Sequence, residues 1–187
     1  MTLFEKLKAE TKTEHEELEK ALDLLSPDFS IDDYRELLKK FYGVYFVVED
    51  CLKKSKLADH YHGRFKTQHI RQDLLNLGMS EQEIQTIPIC GLVIPLDNLN
   101  FLIGTLYVLE GSTLGALILM KHFHSRFDLN SLNGLLFFSG YGEETLVKWK
   151  EWRLFSEKYA SEHDLSHPAI ITQAQNTFTF LRSWLTQ

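Results

Sequence analysis

Apolar positions recur along most of this chain at alternating steps of three and four, the period of helices that bury one face. The first run is Phe4, Leu7, Thr11, His15, Leu18, Leu22 and Leu25, which predicts one amphipathic helix. After a break at Pro27 and Ser30, "IDDYRELLKKFYGVYFVVEDCLKK" carries the period through Tyr34, Leu37, Leu38, Phe41, Tyr45 and Val48, predicting a long, aromatic-rich second helix. A third is expected over 63–77, closed by Gly78. Ser80 and Glu83 make a capping-box pattern for a short helix ending before Pro88. Asp97 is the expected N-cap of a central helix that runs to about His124. "NGLLFFSGYGEE" reads as irregular, because Gly134, Gly140 and Gly142 punctuate an apolar run. Two more helices are expected over 143–161 and 168–185, the second with Pro168 in its first turn. No segment alternates as a strand would, so the predicted class is all-α, with residues 1–187 forming a single domain.

Composition narrows this picture. A chain of 187 residues can bury one substantial core without staples, and four prolines with no Gly or Ser tract leave no obvious linker. The net charge of -6 argues against nucleic-acid binding, which calls for a basic face. Lys39 and Lys40, and Lys53, Lys54 and Lys56, read as exposed helix faces or as partner-docking patches. Cys51 and Cys90 fit neither a metal motif nor a disulfide framework, and the chain opens on an acidic amphipathic helix without a signal-peptide core. A reducing cytoplasm is the expected location. The stretch "FLIGTLYVLEGSTLGALILM" is long enough to cross a bilayer, but Glu110 stands at its centre beside Ser112 and Thr113. It is read as the central helix of a soluble bundle, with no membrane partner.

Two stretches carry candidate chemistry. His15 lies on or beside the first apolar stripe, and Lys8, Lys12 and Glu19 fall at helical spacing from it. Such a histidine is either a satisfied core residue or a metal ligand whose second nitrogen Glu19 orients. In the central helix, Gly104, Gly111, Ser112, Gly115 and Ala116 leave one side small. Each interior glycine costs a helix roughly 1 kcal/mol relative to alanine. The return is close approach, either by another helix or by a flat ligand. His60 with His62, and His122 with His124, are pairs two apart that do not share a helix face, so no metal site is expected there.

The chain resembles the biliverdin-producing heme oxygenases, in particular the bacterial group with a G-S-x-L-G distal helix. "LKAETKTEHEELE" is similar to the family's L-x-x-x-T-x-x-x-H-x-x-x-E proximal segment, and "LYVLEGSTLGALIL" to its distal helix. Weaker likeness extends through "RFKTQHIRQDLLNLG", "FFSGYG" and "AQNTFTFLRSWL". The resemblance implies heme held between the first helix and a kinked central helix, with His15 as the iron ligand and Glu19 as that histidine's partner. It implies Lys8 and Lys12 at the heme propionates, with further contacts from Lys148, Lys150 or Arg153, among which spacing does not choose. Tyr107 and Arg64 would serve a distal network or pack.

The implied reaction opens heme at a meso carbon with dioxygen and electrons, releasing biliverdin, carbon monoxide and ferrous iron. Gly111, Ser112 and Gly115 would leave room for bound oxygen. Ser112 stands where many relatives carry an aspartate, and Ala116 where many carry a glycine, which bears on rate and regiochemistry. The implied partners are a ferredoxin or flavodoxin as electron donor and a bacteriophytochrome as biliverdin acceptor. The alternative is a non-enzymatic heme carrier or sensor with the same pocket. A thiaminase-like hydrolase would need a placed cysteine nucleophile, and a di-iron oxidase repeated Glu and Glu-x-x-His ligands; neither set is found.

Overall fold

A computed structural model describes residues 1–187. The helices follow one another in the order α1 (Leu3–Glu10), α2 (Lys12–Leu22), α3 (Ile31–Lys53), α4 (Ala58–Tyr61), α5 (Thr67–Asn76), α6 (Glu81–Gln85), α7 (Leu99–Phe127), a 3₁₀ turn (Gly142–Glu144), α8 (Thr145–Glu162) and α9 (His167–Leu185). The class is all-α, as the periodicity predicts.

Local chemistry sets the boundaries. Thr2 with Glu5, Ser30 with Asp33 and Ser80 with Glu83 form reciprocal capping boxes at the starts of α1, α3 and α6. At the end of α5 the Met79 N–H donates to the Leu74 carbonyl and the Gly78 N–H to that of Leu75, with Gly78 at φ 91°. This is the Schellman pattern that its glycine predicts.

Four boundaries differ from the expectation. The first helix is two, since Thr11 stands outside helical geometry at φ -108° and ψ 6°. Its hydroxyl donates to the Leu7 carbonyl at 2.8 Å, and this back-bonding bends a helix. The third begins at Thr67, with the separate turn α4 before it. The N-cap of α7 is Asn98, whose Oδ1 accepts from the Phe101 N–H at 3.1 Å, instead of Asp97. α7 also continues one turn further, to Phe127.

The chain forms two compact units. The first comprises Met1–Asp23, Asn98–Gly115 and Tyr141–Gln187. Within it α2 lies along α9, and α1 packs against both α8 and α9. Its core is mostly aliphatic, with Phe4, Tyr159 and Phe178 buried and Trp152 fully enclosed. α7 is long and apolar enough to cross a membrane, yet 56% of its most apolar window is buried within the fold.

The second unit comprises Leu24–Asp97 and Ala116–Gly140. Here α3 packs on α5, and Tyr34, Phe123 and Phe138 form an aromatic knot with ring centroids 4.9 to 5.8 Å apart. Buried acids replace missing backbone partners. Glu49 accepts from the Lys66 and Thr67 N–H groups, capping α5 from outside because Lys66 supplies no cap. Asp73, wholly buried, accepts from the Leu136 N–H at 2.8 Å and the Phe137 N–H at 2.7 Å, fixing the irregular glycine-punctuated segment. Tyr34 donates to the Gly134 carbonyl at 2.7 Å in the same segment.

Burial pushes the Asp73 carboxyl up to about 6 from 3.8, against the lowering effect of its two backbone hydrogen bonds. The folded state therefore holds this proton more tightly than the unfolded chain. The resulting stability is full below about pH 4 and is lost as pH rises through about 6. A shift of about 2 units corresponds to ~3 kcal/mol, present in acid and gone by neutral pH. In denaturant titrations from pH 4.5 to 7, the difference in unfolding free energy between wild type and Asp73→Asn should change with pH in this sense. A pH-independent difference would show that Asp73 does not titrate in that window.

Candidate functional site

Of the residues singled out around the two chemical stretches, Lys8, Lys12, His15, Glu19, Tyr107, Gly111, Ser112, Gly115 and Arg153 fall in the first unit, whereas Ala116 belongs to the second. Arg64 does not; it is buried in the second unit.

The bend at Thr11 organises the N-terminal side. Thr11 is buried and lies close enough to Tyr107 of α7 to influence its phenol, so α7 meets the α1–α2 junction there. One turn further along α2, the His15 N–H donates to the Thr11 carbonyl. The His15 side chain is 53% exposed, so of the two positions the periodicity allowed, on or beside the buried stripe, it lies beside it. The ring meets Phe178 edge-on at 5.5 Å, and its Nδ1 lies 3.7 Å from Glu19 Oε2, an electrostatic contact longer than a hydrogen bond. The expected column of cations is less regular, because the bend separates Lys8 on α1 from Lys12 on α2. Lys12 pairs with Glu16 at 3.7 Å, and Lys8 is exposed.

Tyr107, Gly111 and Gly115 follow one another by single turns on one face of α7. Burial raises the Tyr107 phenol above its usual range, while the nearby Thr11 side chain and the Arg153 charge pull it back. The glycines do different things. At Gly104 a Cβ would lie 2.5 Å from the Ile170 carbonyl oxygen and 2.8 Å from Gln173 Cβ, so this glycine serves the packing of α7 on α9. At Gly111 a Cβ would make ordinary contact with the Trp149 ring at 3.6 Å, and at Gly115 it would meet nothing within 4 Å. Helix packing accounts for Gly104 and leaves Gly115 unexplained. Ser112 is exposed, and its hydroxyl donates to the Leu109 carbonyl at 2.8 Å.

Beside Gly111, Phe4, Tyr107 and Trp149 form an aromatic wall with centroids 5.5 to 6.1 Å apart, and the Arg153 guanidinium lies over Phe4 at 5.5 Å. Lys148 is held by Glu151 at 3.2 Å, whereas Lys150 and Arg153 line a shallow depression with Leu154 and Glu157. Thr11, Phe4 and Trp149 were not among the site residues read from the sequence. A threonine one turn before the histidine and a tryptophan in the α8 pattern were visible signals, but nothing local tied either to α7.

The donor set fits a flat metal-centred ligand: an accessible imidazole on α2, bare backbone at Gly115, an aromatic wall, and Lys8, Lys12 and Arg153 as cations for acidic substituents. The fold agrees. The heme oxygenase of Neisseria meningitidis, solved with NO and CO bound, superposes with a TM-score of 0.79 over 99% of this chain and 90% of its own, at 23% identity. The heme oxygenase of Leptospira interrogans gives 0.74 over 100% and 99%, at 18% identity. Heme oxygenase-1 of the cyanobacterium Synechocystis sp. PCC6803, solved in complex with heme, gives 0.74 over 99% and 91%, at 19% identity. No curated protein sequence matches the chain.

These likenesses show the fold to be that of the heme oxygenases. The heme oxygenase family model matches residues 1–187, and the chain belongs to the heme oxygenase family.

Proposed function

We propose that His15 binds the iron of heme through Nε2, and that the ring lies between α2 and the Tyr107–Gly111–Gly115 face of α7. The observation that carries this reading is the contrast among the glycines: Gly104 is filled by α9, while Gly115 faces open space in the unit that also presents His15. Heme bound there supplies the iron at which dioxygen and electrons react, and its own ring is opened at a meso carbon to biliverdin, carbon monoxide and ferrous iron.

The chain's own groups do the rest. Glu19, close to Nδ1, favours the tautomer that leaves Nε2 free to ligate. Lys8, Lys12, Tyr107 and Arg153 anchor the propionates and so fix the rotation of the ring. Gly111 and Gly115 keep side chains away from the oxygen-binding face. Ser112 already donates to Leu109, so water supplies protons to that face, with Ser112 as an acceptor. The natural electron donor is a ferredoxin or flavodoxin, the compartment is the cytoplasm, and a bacteriophytochrome is a candidate acceptor of biliverdin.

The test is an optical time course with hemin, a ferredoxin and its reductase, air, and catalase. Decay of the Soret band with growth of a biliverdin spectrum is expected. A Soret band that persists under reduction in air would replace this reading with a carrier or sensor using the same pocket.

A further inference from the structure

The sequence raises Glu110 only as an obstacle to a membrane span, and the proposed chemistry makes no use of it. It is nonetheless the acid of an otherwise apolar helix segment, 2% exposed, and the immediate neighbour of Gly111. Burying a carboxylate is costly unless hydrogen bonds compensate. Here the Tyr141 hydroxyl is shared between both carboxylate oxygens, at 2.9 and 3.0 Å.

Tyr141 starts the turn that leads into α8. Its N–H donates to Thr145 Oγ1 at 3.1 Å, and that hydroxyl donates to the Gly142 carbonyl at 2.8 Å. Gly142 itself is at φ 59°, a conformation that suits glycine and lets the turn close. Thr145 is the first residue of α8 and is buried; one helical turn later Trp149 places its ring over Gly111. The contacts thus close a circuit within one unit, from Glu110 through Tyr141, Thr145 and Trp149 back to the residue after Glu110.

We propose that Glu110 is a positioning residue for the heme site: by accepting from Tyr141 it sets the start of α8, and through α8 the seat of Trp149 against Gly111. The inference deepens the proposed heme site and rests on it for its functional part. The hydrogen bond is the active element, so an uncharged acceptor at position 110 should serve as well. Displacing Trp149 would change the room beside the distal glycine, and with it the ring edge presented for cleavage.

The experiment uses the full chain, isotope-labelled and without hemin, and follows the indole N–H resonance of Trp149, assigned by its loss in Trp149→Phe. Glu110→Gln, whose amide oxygen still accepts from Tyr141, should leave the resonance in place. Tyr141→Phe and Glu110→Leu should shift and broaden it. An unmoved resonance in Tyr141→Phe overturns the proposal, and so does a Glu110→Gln shift as large as that of Glu110→Leu. Should Glu110→Leu fail to fold, Tyr141→Phe, which deletes one hydroxyl, decides alone. With hemin, Tyr141→Phe should release ligand about tenfold faster, the scale of one hydrogen bond to a charged group, and should change the ratio of biliverdin isomers. Unchanged release and isomer ratio beside a moved indole would overturn the functional part. Failure of hemin to bind wild type would instead defeat the proposed heme site, with the indole measurement unaffected.

Discussion

His15→Ala is expected to leave the protein folded while weakening hemin binding by about 100-fold or more, since losing even an outer partner of a ligating histidine costs roughly 10–100-fold in metal affinity. The two halves have separate causes. The side chain is 53% exposed, and its contacts are one edge-on ring, Phe178, and a carboxylate at 3.7 Å. Removing it should therefore shift unfolding by about 1 kcal/mol or less, as for most exposed positions. If iron coordination is the task of His15, the variant loses the sharp Soret band of a histidine-ligated heme, and millimolar free imidazole restores it by entering the vacated space. Equilibrium hemin titration with and without imidazole makes the measurement. Wild-type affinity and an unchanged spectrum in His15→Ala would place the iron on another ligand.

The helix periods made most of the fold legible, because helices that bury one face reveal it residue by residue. The bend between α1 and α2 was hidden for a specific reason. Thr11 fits the apolar stripe by position and is buried, but its hydroxyl donates to the Leu7 carbonyl, and that preference does not show in a hydrophobic pattern. The start of α7 was ambiguous because Asp97 and Asn98 are equally competent caps, and only geometry selects Asn98. Partners distant in sequence were equally illegible: Asp73 reaches Leu136 and Phe137, Glu49 caps α5 from α3, and Glu110 meets Tyr141. Of the proposed site, His15 and the glycine-bearing face were candidates that spacing and family likeness supplied. Trp149 and Thr11 acquire meaning only when α8 and the α1–α2 junction are laid on α7.

The glycines of α7 give the second large effect, and it has opposite signs at two positions. Gly104→Ala puts a methyl group 2.5 Å from the Ile170 carbonyl oxygen and 3.1 Å from the Ala174 nitrogen. These are backbone atoms of α9, which cannot swing aside as a side-chain terminus can. Helix propensity returns about 1 kcal/mol, while overpacking of a tight interface costs typically 1–3 kcal/mol, occasionally more. A clash with rigid backbone belongs at the upper end, so a net loss of about 2 kcal/mol is expected. For a chain of this size that lowers Tm by roughly 4–8 °C. Gly115→Ala meets no atom within 4 Å, so the ligand-free protein should gain about 0.5–1 kcal/mol from propensity alone. The same methyl group would stand where the proposed ring and its oxygen need clear backbone, so hemin turnover should fall while Tm rises. Calorimetry of the ligand-free variants, paired with the optical time course, separates the two roles. A rise in Tm with undiminished turnover in Gly115→Ala would mean that the open backbone at this turn is not the surface on which heme lies.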